Sequence, residues 1–155
     1  MSMAIVSAST PLHIEEIRCL FAEYAASLNF NLCFQNFSEE LAGLPGDYAP
    51  PRGCLLLATH DSSPAGCIAL RPLAKNNGEL KRLYVRPAFR GLGIGQCLVK
   101  TLIDRAKEKG YEKIFLDTVG EMQKAQALYE AFGFVDTQPY YYNPIADARF
   151  MERSL

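Results

Sequence analysis

Along the chain the spacing of apolar positions alternates between a strand-like and a helix-like period, and each change of period marks a predicted element. Residues 4–7 predict a short strand. Behind Thr10-Pro11, a capping residue and a first-turn proline, Ile14, Ile17, Leu20, Phe21 and Tyr24 form one stripe, which predicts a helix to about Leu28. Ser38, Glu39, Glu40 and Leu41 open a shorter helix ending near Gly43, and the proline-rich segment 44–51 reads as a rigid loop that shapes a pocket wall. Two apolar runs, 54–59 and 66–73, flank Asp61-Ser62-Ser63-Pro64, the pattern of an antiparallel hairpin. Asn76-Asn77-Gly78 then turns the chain into a strand at 79–85, which completes a meander. Alternation there puts Glu79, Lys81, Leu83 and Val85 on one side and Leu80, Arg82 and Tyr84 on the other, and Pro87, with no N–H to give, ends the pairing. From Ile94 a helical stripe runs through Leu98, Leu102 and Ala106 to the stop at Gly110.

The remaining segments are read in the same way: a buried strand at 113–117, a helix at 122–132 stopped by Gly133, a strand at 134–137, an aromatic loop at 139–144 and a last strand at 149–153. Helices first, then a meander, then β-α-β-α-β predict a single domain over 1–155 of mixed α/β (α+β) class. Its sheet is expected to be mixed but mostly antiparallel, of about six to seven strands, with helices on both faces.

Between the strand at 79–85 and the helix after it lies Arg90-Gly91-Leu92-Gly93-Ile94-Gly95. Glycines let backbone approach a ligand closely, and a helix start offers unpaired N–H groups, so the segment predicts a phosphate cradle. A Walker A loop would need Gly-Lys-Ser/Thr, but Gln96 and Cys97 follow Gly95; a dinucleotide fingerprint would need glycine where Gln96 stands. Both standard nucleotide readings fail.

Arg90 to Gly95 resembles the acyl-coenzyme A signature Q/R-x-x-G-x-G/A of the GNAT superfamily of N-acetyltransferases at every specified position. Downstream, Ala125, Leu128, Tyr129, Gly133 and Phe134 are similar to the family's A-x-x-L-Y-x-x-x-G-F pattern. The resemblance covers roughly residues 66–135. It implies the GNAT fold and transfer of the acetyl group of acetyl-CoA to a primary amine of a small molecule or peptide, by direct attack in a ternary complex. It also implies that Arg90, Gly91, Leu92, Gly93, Ile94, Gly95 and Gln96 hold the pyrophosphate. The pantetheine arm is expected alongside Leu83, Tyr84 and Val85, as an added strand. Many members have an asparagine for that arm seven residues before the tyrosine; this chain has Met122, so either a neighbour such as Thr118 substitutes or backbone alone holds the arm.

An alkylammonium has a pKa of ~10.4, so acetyl transfer near neutral pH needs a base, an oxyanion donor and an acid for the leaving thiolate. By resemblance Glu79, eleven positions before Arg90, is the base, acting through water; the other reading of this residue is a solvated carboxylate at a strand end. Tyr129 falls at the family's general-acid position, against the reading of an aromatic that packs helix to sheet. The oxyanion donor is expected to be the N–H of Tyr84 or Val85, freed by a distortion of the strand. The rival from another class, a non-catalytic acyl-CoA sensor or subunit, has no need of Glu79 and Tyr129 together.

Composition narrows the rest. With 49% hydrophobic residues, 21% charged and a net charge of -1, the chain reads as an ordinary soluble protein. Its basic residues are dispersed, and Lys81, Arg82, Arg86 and Arg90 adjoin the expected phosphate site, so no nucleic-acid partner is predicted. Five cysteines without a CxxC pair read as reduced core thiols in a cytoplasmic protein, and neither a leader nor a membrane span is expected. His13 and His60 have no acidic or cysteine company at ligand spacing, so no metal is predicted. Tyr140, Tyr141, Tyr142 and Asn143 are candidates either for the acceptor pocket or for an ordinary packed loop, and Glu39, Glu40 and Asp47 either for drawing in a cationic amine or for helix caps. A homodimer is common in the family.

Overall fold

The predicted meander is the centre of the sheet. The computed structural model describes residues 2–28, 31–32, 36–120 and 122–155. In chain order the elements are β1 (Met3–Ser7), α1 (Pro11–Ala26), α2 (Phe37–Ala42), β2 (Cys54–His60), β3 (Ser63–Pro72), β4 (Asn77–Val85), α3 (Ile94–Glu108), β5 (Lys113–Thr118), α4 (Gln123–Ala131), β6 (Val135–Asp136) and β7 (Arg149–Ser154). They form a seven-stranded sheet in the order β1-β2-β3-β4-β5-β7-β6, antiparallel except for the β4–β5 pair.

Period-two patterning divides the apolar residues between two cores. Leu56, Ile68 and Leu70 face α3 through Leu98 and Leu102, with Tyr129 of α4 in the same cluster. Leu55, Leu57 and Cys67 face the other way, against Ile17, Leu20 and Phe21 of α1. Thr10 caps α1 through its hydroxyl, which accepts from the N–H of His13 at 3.1 Å, as the sequence predicted.

Some boundaries differ from the sequence reading. The β2–β3 turn is tighter than predicted, because Asp61 and Ser62 both take positive φ (49° and 70°) and so leave Ser63 and Pro64 to the strand. Asn77 and Gly78 likewise belong to β4 and not to a turn. The strand predicted at 134–137 shrinks to Val135–Asp136. Cys54 and Cys67 are buried as expected, but Cys19 is exposed and Cys97 intermediate; the reading of Cys33 lies outside the described residues.

Two irregularities in β4 build the site. Cys67 pairs with Tyr84 and Ala69 with Lys81, so three residues of β4 span what two of β3 span. Arg82 takes a φ of 63° at this bulge, and side-chain alternation slips by one. Leu80, Leu83 and Val85 therefore pack toward α3, while Glu79, Lys81, Arg82 and Tyr84 turn toward α1 and α2. The predicted grouping of Leu83 and Val85 with Glu79 is thereby corrected.

The second irregularity is a split. β4 and β5 pair only over Asn77–Lys113, Gly78–Ile114 and Glu79–Phe115, then diverge, although β4 runs on to Val85 and β5 to Thr118. Between them the sheet opens.

Candidate active site

The opening is a cleft of about 970 Å³. One wall is β4 from Leu80 to Val85, the other is Asp117, Thr118 and Val119 with the start of α4, and Arg90, Gly91, Gly93, Ile94 and Gly95 close one end. Of the residues the sequence assigned to the coenzyme, Leu83, Tyr84, Val85, Arg90, Gly91, Gly93, Ile94, Gly95 and Thr118 all line this space; Leu92 and Gln96 do not.

Local chemistry fits the cradle to a phosphate. Gly91 and Gly93 have φ of 82° and 81°, a conformation that costs an L-residue about 1–2 kcal/mol, so glycine belongs at both. Gly93 is the N-cap of α3 with no side-chain cap bond, and the first helical bond runs from the N–H of Cys97 to the Gly93 carbonyl at 3.1 Å. The amides of the first turn thus point out at the helix's positive end, toward the cleft. Arg90 is anchored by Nε donating to the Val85 carbonyl at 2.9 Å, which leaves the rest of its guanidinium facing the same space.

That bond also orients the strand. Arg86 donates its N–H to Ala65 on the β3 side, so alternation turns the Val85 N–H and carbonyl to the side that β5 has vacated. Of the two expected oxyanion donors, Val85 faces the cleft and Tyr84 is turned to its partner Cys67.

Tyr129 lines the cleft and is 6% exposed, its ring 5.7 Å from that of Phe134. Burial first, then the charges of Tyr24 and Asp117, hold its phenol well above the usual tyrosine range. Its hydroxyl therefore keeps its proton and is a hydrogen-bond donor at the cleft wall.

Glu79 is 1% exposed and is not among the residues that line the cleft, so it is not the solvated strand-end carboxylate that was one of its two sequence readings. Arg71 donates to its carboxylate at 2.7 Å and the Tyr140 hydroxyl at 2.5 Å. Burial alone would raise this carboxyl; the charges of Lys81 and Arg71 and the bonds from Tyr140 and Arg71 outweigh it and hold the group below the usual range. Lys81, its neighbour along the same face, does line the cleft. Burial pushes the lysine amine down, against the pull of Glu79, to about 8.

Several expected roles resolve as support. Arg82 is gripped by Glu40 through two contacts of 2.9 Å, and Arg86 by Glu23 at 2.7 Å, so this part of the basic cluster stabilises the frame. Among the expected acids, Glu40 is therefore committed, and Glu39 and Asp47 line a separate 310 Å³ pocket beside the loop 44–51. Of the aromatic loop, Tyr140 holds Glu79, Tyr141 holds Asp117, Tyr142 is 82% exposed, and Asn143 alone lines the cleft. Met122 is the N-cap of α4, with the Thr118 hydroxyl 3.6 Å from its sulfur.

The sequence reading missed Asp117 and gave Lys81 no role of its own. A signal for Asp117 existed: it is a carboxylate directly after the apolar Ile-Phe-Leu of β5, at an alternate position facing away from Leu116.

The chain matches the model of the acetyltransferase (GNAT) family over residues 15–134, and it belongs to that family. It is an acetyl-CoA-dependent acyltransferase by this membership. It is 38% identical over 152 residues to an uncharacterised N-acetyltransferase of Schizosaccharomyces pombe, covering 97% of this chain and 93% of that one. In fold it is similar to an acetyltransferase of Streptococcus agalactiae (TM-score 0.80, 22% identity, 99% and 98% covered). The PaiA N-acetyltransferase of Thermoplasma acidophilum, solved in complex with coenzyme A, gives a TM-score of 0.76 at 20% identity with both chains fully covered. Among the described residues no group of three or more metal-ligating side chains occurs, and no helix is long and apolar enough to cross a membrane.

Proposed function

We propose that the protein transfers the acetyl group of acetyl-CoA to a primary amine by direct attack in a ternary complex. The observation that carries this reading is the split between β4 and β5. It brings the α3 amides, the Val85 backbone and the Tyr129 phenol to one continuous cleft. In this reading the pyrophosphate rests on the loop Arg90–Gly95 and the first turn of α3, and the pantetheine arm follows Leu83 to Val85 in place of the missing strand. The Val85 N–H meets the developing oxyanion, and Tyr129 donates its proton to the departing thiolate. With Met122 where many relatives have asparagine, Thr118 and the strand backbone hold the arm.

The amine must lose a proton before or during attack. Glu79 does not line the cleft and its carboxyl is held low, so it does not keep the amine's proton; Lys81, which lines the cleft beside it, takes that proton as a neutral amine and releases it to solvent, with Glu79 setting its proton affinity. Near-neutral proton affinity suits the lysine to the task.

Among the described residues no cysteine lines the cleft, and burial pushes the Cys67 and Cys54 thiols up, away from the reactive thiolate form, which favours direct transfer over an acyl-enzyme route. The test is release of free thiol from acetyl-CoA across a panel of amines, with both substrates varied. Amine-dependent release with intersecting initial-velocity lines is the expected result; coenzyme binding without release for every amine would instead identify a coenzyme-binding module.

A further inference from the structure

We infer that Asp117 is the docking point for the acceptor's ammonium group, and that the acceptor is a primary amine carried on an apolar body. The inference rests on the proposed acetyl transfer to an amine.

Past Phe115, the last residue of β5 paired with β4, the strand leaves β4, and the side chain two positions on is Asp117. It is the one carboxylate among the described residues that line the cleft. Its Oδ2 accepts from Asn143 Nδ2 at 2.8 Å and from the Tyr141 hydroxyl. These bonds fix the carboxylate's direction, the condition under which one charge can orient a ligand.

Asp117 is also next to the chemistry. Its charge contributes to the upward push on the Tyr129 phenol, and so does Tyr24, which reaches the cleft from α1 on the other side of the sheet. Asp117 and Tyr129 line the same cleft, so an amine on Asp117 shares that space with the hydroxyl assigned to the leaving thiolate.

Two of the cations that line the cleft are matched by carboxylates outside it, while Arg90 and Lys124 line it as well. Arg82 is neutralised by Glu40, and Arg71 and Lys81 share Glu79. Lys81 is one of the cations that an incoming ammonium would oppose. Its amine, near 8, sheds its proton more readily than an ordinary lysine when a second positive charge arrives. The same cleft is lined by Tyr24, Ser27, Leu28 and Leu32, a largely apolar surface that favours an apolar or aromatic body over a second charge.

The test uses the full chain saturated with coenzyme A and measures binding of 2-phenylethylamine and its neutral isostere 2-phenylethanol by calorimetry. The wild type is expected to bind the amine at least tenfold more tightly than the alcohol. Asp117→Asn keeps the size and hydrogen-bonding reach of the side chain while removing the charge. It is expected to abolish the preference by weakening the amine alone. Coenzyme affinity serves as the control for folding, and Asp117→Ser removes the same charge if the amide disturbs the loop. Equal binding of both ligands by the wild type, a preference that survives either variant, or equal weakening of both ligands would overturn the assignment. Binding needs no turnover, so the two readings fail separately. A charge preference lost in Asp117→Asn but no thiol release from any amine would count against the transfer reaction and in favour of the docking site.

Discussion

Removing Arg71 tests whether Glu79 is a committed structural ion or a freely available base. The Glu79 carboxylate is 1% exposed and its Oε1 lies 2.7 Å from Arg71 Nε, whereas the arginine side chain is 32% exposed. Breaking a buried ion pair from one side costs about 3–5 kcal/mol, because the remaining charge is left without compensation. Here Lys81 and the Tyr140 hydroxyl still face the carboxylate, and water screens the arginine end, so Arg71→Met is expected to cost roughly 2 kcal/mol. In a chain of this size that lowers Tm by about 4–8 °C.

The pH dependence carries a sign. A carboxyl held below its unfolded value adds stability that is present above that value, 4.5 here, and lost as pH falls through the lower folded value. Without Arg71 the carboxyl's folded value moves up and this contribution shrinks. The gap between wild type and variant should thus be widest near neutral pH and narrow as acid protonates Glu79. Thermal denaturation followed by circular dichroism at neutral pH and at about one unit below the ordinary carboxyl pKa measures both. A gap under about 1 °C at neutral pH, or one that does not change with pH, would refute the reasoning.

Three further outcomes follow from the same geometry. Tyr129→Phe keeps the ring against Phe134 and loses only the hydroxyl, so kcat should fall about 10²-fold while the thermal shift given by acetyl-CoA is unchanged. If Lys81 carries the acceptor's proton, kcat should rise with pH through a limb near 8. Because Glu79 raises that lysine, Glu79→Gln should move the limb to lower pH, and Lys81→Met should remove it. A Cβ at Gly66 would lie 2.6 Å from the Tyr84 carbonyl oxygen and 3.3 Å from the Val85 Cα, so Gly66→Ala should push β3 off β4. The expected signs are a stability loss of about 1–3 kcal/mol in denaturant unfolding and weaker coenzyme binding.

What the sequence made legible and what it hid divide along physical lines. The cradle could be read because its chemistry is local: two glycines at positive φ, an arginine and a helix start lie within a few residues of one another. Tyr129 could be read because a motif surrounds it. The bulge could not, since Arg82 at φ 63° carries no glycine or proline to announce it and is held there by Glu40, 42 residues away. Alternation read through that point put Leu83 and Val85 on the wrong side. The burial of Glu79 was hidden for the same reason: its partner Tyr140 lies 61 residues further along, in a loop read either as acceptor pocket or as an ordinary packed loop. The split between β4 and β5 is a property of pairing, absent from either strand's own pattern, and it is what gives Asp117 access to the cleft.

The central claim is direct transfer within a ternary complex, and isotope-labelled acetyl-CoA tests it most directly. The protein is incubated with labelled coenzyme, first alone and then with an accepted amine, and protein and small molecules are weighed by mass spectrometry. The account predicts unlabelled protein in both cases and label on the amine nitrogen only when amine is present. Stoichiometric label on the protein before any amine is added, chased onto the amine afterwards, would contradict it.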